Sequence, residues 1–187
     1  MKKIFAVITV GAALGFMAQS CHDDNKTTWE AYAEWREQNR TWLSAMQAKT
    51  NPDGTPYYQV IIPQWNPGSF ILLHFVNDRA LTEGNLSPMY SSTVDTRYTL
   101  HLYDGTGVDS SYSQTEYGPG IFRTRLNAVV QGWAAALGNM RCGDTADVII
   151  PYELGYGESD NGTIPPYSNL QFGIRLVDIP NYETTPY

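Results

Sequence analysis

The stretch Tyr98-Thr99-Leu100-His101-Leu102-Tyr103-Asp104-Gly105-Thr106-Gly107-Val108-Asp109-Ser110-Ser111 joins a run of strand formers to a turn. Its first half continues a strand that begins near Thr93 and stops at Tyr103, because Asp104-Gly105 is a turn pair. Loop chemistry then dominates through Gly118-Pro119-Gly120. Taken alone, Asp109 reads as a turn residue capping its own loop.

Moving outward toward the C-terminus, Val130, Trp133, Leu137 and Met140 share one face of a short helix that stops between Gly138 and Gly143. Strands over Thr145 to Ile150 and Asn169 to Ile179 then flank a long loop holding Gly155-Tyr156-Gly157 and Ile164-Pro165-Pro166. Toward the N-terminus, Tyr57 to Ile62 and Ser69 to Val76 are rich in strand formers, and Asp78 to Ser92 reads as an irregular loop. The segments Ser69–Val76 and Thr93–Tyr103 are expected to pair antiparallel across that loop. Earlier still, Thr27-Thr28-Trp29-Glu30 fits a capping box. It opens a helix from Thr28 to Lys49 with Trp29, Tyr32, Trp35, Trp42, Leu43 and Met46 on one face. Asn51-Pro52-Asp53-Gly54 ends it. An aromatic stripe of this kind is a docking face, for the main domain or for a second subunit. Antiparallel strands with one short helix between them make the fold class α+β.

The chain has 187 residues and a formal net charge of -7. No basic run follows the first three residues, so an acidic surface argues against nucleic-acid binding. Lys2 and Lys3 precede an apolar run from Ile4 to Met17 and then Ala18-Gln19-Ser20-Cys21. A basic head, an apolar stretch too short for a spanning helix and small residues before a break read as a secretory signal over 1–20. Cys21 after a small residue is similar to a bacterial lipobox, which makes 21–27 a lipidated tether and the membrane a partner through that anchor. Cys142 is then left as a small buried hydrophobe. His22, His74 and His101 lack metal-ligand spacing, and no phosphate-binding or nucleophile-elbow motif is present. Neither metal nor cofactor is expected. Glu153, Glu158 and Asp160 read as solvated acids of a glycine-rich loop.

Three segments, in order over the C-terminal half, resemble the FKBP-type peptidyl-prolyl isomerases. The first is the stretch quoted above. The second is Val129-Val130-Gln131-Gly132-Trp133 with Met140 and Gly143, similar to the family's pocket-floor helix. The third is Gly155-Tyr156-Gly157, then Ile164-Pro165-Pro166, Leu170 and Phe172, similar to its pocket loop and last strand. The resemblance implies a curved antiparallel sheet wrapped on a short helix over 57–180, with residues 28–50 as an accessory helix.

Carried onto matching positions, the resemblance implies catalytic roles for Tyr98, Asp109, Trp133 and Tyr156. It also implies substrate contacts from Val108, Phe122, Val129, Val130, Ile164 and Phe172. Trp133 would floor the pocket, while the Val130 N–H and the Tyr156 hydroxyl would hold carbonyl groups. Two departures stand out. Val108 occupies a position that is aromatic in the family, and the second pocket aromatic falls at Gly120 or Ile121, with Phe122 displaced by about two places. A less aromatic wall, and weaker binding of the family's macrolide inhibitors, are therefore expected. The implied activity is cis–trans isomerisation of X-Pro bonds in exported proline-containing polypeptides. The alternatives are a binding module that keeps the fold without the activity, and an envelope protein whose aromatic helix serves oligomerisation.

Overall fold

The computed structural model describes residues 26–180. The segment from Thr93 to His101 (β3) alternates, with Val94, Thr96, Tyr98 and Leu100 buried on the face they share. It pairs antiparallel with Leu170–Asp178 (β7), and β7 pairs with Thr145–Ile150 (β6). Beyond β6 lie Ile71–Phe75 (β2) and Gln59–Ile61 (β1), and on the opposite side of β3 lies Gly107–Ser110 (β4). A short strand, Phe122–Arg125 (β5), pairs with the start of β3. The result is one seven-stranded antiparallel sheet in the order β1-β2-β6-β7-β3-β4, with β5 branching from β3.

Register lines up the inner face: Leu73 opposes Val148, Val148 opposes Phe172, and Phe172 opposes Leu100. The helix Gln131–Gly138 (α3) packs on this face, with Trp133, Ala134, Ala135, Ala136 and Leu137 buried. A Cβ at Gly132 would sit 2.3 Å from Ile150 Cγ2, so only glycine lets the helix come this close to the sheet.

The opposite face is covered at one end by the N-terminal helix. Thr27 caps the short turn Thr28–Ala31 (α1) through a complete capping box with Glu30. The expected continuous helix is broken at Tyr32 (φ -102°, ψ 21°) and resumes over Ala33–Gln47 (α2), ending two residues before the expected Lys49. Trp42, Leu43 and Met46 of α2 lie against Leu72, Ile149 and Tyr58. The aromatic stripe therefore docks on its own sheet. Among the described residues no helix is long and apolar enough to cross a membrane. The signal and anchor readings, including Cys21, lie outside the described residues.

The expected pairing of Ser69–Val76 with Thr93–Tyr103 does not occur, since β6 and β7 separate β2 from β3. The reason lies in burial. Ile71, Leu72 and Leu73 are all fully buried, as are Val148, Ile149 and Ile150. Strands apolar on both faces belong where both faces are covered, here between α3 and α2. The alternating β3 sits instead where its outer face is polar. Strand β4 lies in the region read as loop and β5 just beyond it, where no element is expected, because Gly107, Asp109 and Ser110, or Arg123 and Arg125, give edge strands no apolar run.

One polar cluster fastens the long connection between β2 and β3 to the sheet. Asp144, fully buried before β6, accepts hydrogen bonds from the Thr82 hydroxyl (2.6 Å), the Arg141 N–H (2.8 Å) and the Asn77 amide (3.2 Å). It also faces Arg79 at 3.3 Å. Burial works against ionisation, but Thr82, Arg141, Asn77 and Arg79 together outweigh it and hold the carboxyl below its usual range. A lowered native pKa contributes stability above the unfolded value of about 3.9, which is lost as pH falls through the native value. Asp144→Ala should lower unfolding free energy by about 3 kcal/mol, because it strands several donors and Arg79. Urea titration at neutral pH checks this, and the gap between wild type and variant should narrow below about pH 4.

Candidate active site

The pocket, about 260 Å³, opens on the inner face beside α3. Trp133 forms its floor because α3 points it inward at the sheet, where it is 3 % exposed. Three rings meet it edge-on: Tyr98 at 5.2 Å, Phe172 at 5.5 Å and Phe122 at 6.0 Å between centroids. Tyr98 also lies 5.5 Å from Phe122 and 6.1 Å from Phe172. Edge-to-face packing of this kind fixes each ring against its neighbours. Leu100, Ala128, Val129 and Val130 complete the apolar lining.

The polar wall comes from β4 and from the long loop before β7. Asp109 opposes Leu100 in the β3–β4 ladder, which turns it toward the pocket. The Tyr98 hydroxyl donates to Asp109 Oδ2 at 2.6 Å, and Ser110 N–H donates to Oδ1 at 2.7 Å. Burial first, then this bond and the charge of Asp109, raise the Tyr98 phenol far above its ordinary range. The Tyr156 phenol is raised by burial and by Asp109, so both hydroxyls are donors at neutral pH. Tyr156 follows a single 3-10 turn, Tyr152–Leu154, and Gly157 beyond it takes φ +68° to turn the chain back.

Ser111 ties these parts together. Fully buried, its hydroxyl accepts from Tyr98 N–H at 2.9 Å and donates to Gly120 O at 2.8 Å. Its own N–H donates to Tyr98 O at 3.1 Å. One side chain thus connects the strand bearing Tyr98, the end of the strand bearing Asp109 and the loop that leads to Phe122.

Of the residues singled out from sequence, Tyr98, Asp109, Phe122, Val129, Val130, Trp133, Tyr156 and Phe172 line the cavity. Val108 and Ile164 do not. Val108 precedes Asp109 and borders an open depression with Thr99 and His101 at the β3–β4 edge, where a register shift follows Leu100. Ile164 is 5 % exposed and belongs to the core. The expected gap in the aromatic wall is also corrected. Phe122 opposes Thr96 in the β3–β5 pairing, which sets its ring beside Tyr98 despite its displaced place in sequence. Leu100 was legible and missed: two residues after Tyr98 in the same strand, it must face the same way. Ala128 carries no comparable signal.

A model of the FKBP-type peptidyl-prolyl cis-trans isomerase domain matches residues 84–177. The "Macrophage infectivity potentiator" of Trypanosoma cruzi is 41% identical over 97 residues, 51% of this chain and 47% of that protein. The "FKBP-type peptidyl-prolyl cis-trans isomerase FkpA" of Escherichia coli K12 is 39% identical over 93 residues, 50% of this chain and 33% of that one. The chain thus spans half or less of the length of these curated relatives. Among solved structures, a peptidyl-prolyl cis-trans isomerase from Pseudomonas syringae pv. tomato superposes with a TM-score of 0.62 at 25% identity, covering 79% of this chain and 95% of that chain. FkpA from Escherichia coli gives 0.58 at 26%, covering 80% and 64%. With the family model spanning half of the sequence and the same fold beneath it, this chain belongs to the FKBP-type peptidyl-prolyl cis-trans isomerase family.

Proposed function

We propose that the pocket catalyses cis–trans rotation of X-Pro peptide bonds in polypeptides. The observation that carries this reading is the pairing of a four-ring apolar floor with a one-sided polar wall, Tyr98–Asp109 and Tyr156. Peptide rotation meets a barrier of about 18–20 kcal/mol, set by the partial double bond. X-Pro bonds populate both isomers and exchange slowly. Water favours the planar, charge-separated amide over the twisted, less dipolar transition state. An apolar site that strips this water away lowers the barrier, and contacts that fit the twisted form lower it further.

In this mechanism the proline ring stacks on Trp133 between Phe122 and Phe172, with Val129 and Leu100 at its sides. The Val130 N–H and the Tyr156 hydroxyl hold carbonyls of the chain on either side of the rotating bond. Asp109, fixed by Tyr98, faces the amide from the wall. The residues need neither nucleophile nor cofactor for this chemistry. Because both phenols titrate above their ordinary range, catalysis should be flat from about pH 6 to pH 9.

The domain assignment belongs to the same proposal: a signal peptide over 1–20, a lipidated tether over 21–27, an accessory helix over 28–50 and the isomerase unit over 57–180. The N-terminal sequence and a relative named "Outer membrane protein MIP" in Legionella longbeachae support a place in the cell envelope and exported clients.

A protease-coupled assay on a proline tetrapeptide tests the activity. The chain should exceed the uncatalysed rate, and Asp109→Val or Tyr156→Ala should lower kcat/KM several-fold while the fold is retained. Wild-type rates equal to the uncatalysed reaction would sink the enzyme reading and favour the binding module. Phe122→Ala should weaken a macrolide ligand about thirtyfold, the equivalent of about 2 kcal/mol of lost ring contact. A titration followed by tryptophan emission, with Trp133→Phe as the silent control, measures it. For the anchor, full-length protein should partition with membranes and Cys21→Ala should release it or leave it unprocessed. A mature terminus elsewhere, found by mass spectrometry, would reject lipidation.

A further inference from the structure

We infer that Asn39 of the N-terminal helix is a positioning residue for Tyr156, so that α2, outside the family match, sets the rim of the pocket. The inference rests on the reading of that pocket as the isomerase site. Asn39 is 2 % exposed, on a helix whose other residues are at least partly open to solvent. Its amide N–H donates to Trp35 O one turn back at 2.9 Å, which turns Oδ1 outward from the helix. Oδ1 accepts from Asn169 N–H at 2.8 Å, and Asn39 O accepts from the Asn169 amide at 2.8 Å. Asn169, also 2 % exposed, uses its Oδ1 to accept from Tyr152 N–H at 3.1 Å. Tyr152 opens the turn that delivers Tyr156, and its carbonyl accepts from Gly157 N–H at 2.9 Å.

A second strand of contacts reaches the same point. Trp35 Nε1 donates to Ser168 Oγ at 3.1 Å, and Ser168 Oγ donates to Pro165 O at 2.6 Å. The neighbouring Tyr167, held at φ 62° and packed edge-on by Trp29 at 5.5 Å, donates its N–H to Gly157 O at 2.9 Å. Gly157 is therefore gripped on both sides, by Tyr152, which α2 reaches through Asn39 and Asn169, and by Tyr167, whose ring lies 5.5 Å from the Arg36 guanidinium of α2. Tyr156 itself is 39 % exposed. Its side chain has less packing to place it than its backbone does, and that backbone lies between the two grips. Buried amides of this kind keep their geometry because an unpaired one is costly. The link joins residues 130 positions apart, and neither residue touches the pocket.

Two readouts on the full chain separate positioning from general stability. In Asn39→Ala, amide hydrogen exchange at Tyr156 and Gly157 should rise about tenfold or more, and kcat/KM should fall about fivefold. In a Tyr156→Phe background, Asn39→Ala should cost little further activity, because the hydroxyl it positions is gone. Equal losses in both backgrounds, or unchanged exchange at Tyr156 and Gly157, would overturn the inference. If Asn39→Ala does not fold, Trp35→Phe is judged by the same two measures. An inactive wild type would remove the isomerase reading, and the exchange data would then decide alone whether α2 holds the loop.

Discussion

Everything in this molecule follows from a mismatch of size between one helix and one sheet. Helix α3 has eight residues and spans about 12 Å, whereas the six strands of the sheet's main path spread over about 24 Å. It packs against β2 and β6 and leaves the β7–β3–β4 end of the same apolar face without a helical cover. Rings close that end instead. Trp133 projects from the helix into the gap, and Tyr98, Phe122 and Phe172 lean on it from three strands. What remains open is a depression with an apolar floor of packed rings.

Around this depression the Asp109 carboxylate has its partners fixed, whereas Trp133 Nε1, in the floor, makes no hydrogen bond among the described residues. The Asp109 carboxylate is held by Tyr98 and by the Ser110 N–H, and the Ser111 hydroxyl bonds to backbone as both donor and acceptor. Both side chains are thus held in place by the protein itself, and dipoles fixed in advance need little rearrangement on meeting a ligand. On the far side of the sheet, α2 gives β2 and β6 a second apolar cover, so the strands that anchor α3 are stiff on both faces.

Legibility tracked burial. Strand β6 spans the very residues expected, Thr145–Ile150, since its apolar run is bounded by turn chemistry. Tyr98, Asp109, Trp133 and Tyr156 were found through ordered motifs, and the pocket brings all four together. What was not legible depends on pairing rather than on local residues. Strands β4 and β5 are polar edges without a periodic signal. The neighbours of β2 are chosen by which faces are covered, and that is a property of the assembled layers. Phe122 could not be placed by counting back from Trp133, because its position is set by the register of Thr96 across a ladder. Val108 lies outside the cavity lining for the same reason, one residue out of phase with Asp109 at a bulge.

The contact between Trp35 and Ser168 spans 133 positions. Of the described elements, the N-terminal helix is made before the strands it covers and is among the last to find its full seat. Ile149 and Asn169, which receive it, come near the end of the chain. Until they arrive, Trp35, Trp42 and Leu43 have no sheet to cover. Contacts so distant in sequence are slow to form, since the loop between them must close first. Docking of α2 is thus a clasp that shuts only once β6 and the loop before β7 are in place, because Ile149 and Ser168 belong to them, and until then its aromatic stripe marks the chain by its own surface as unfinished.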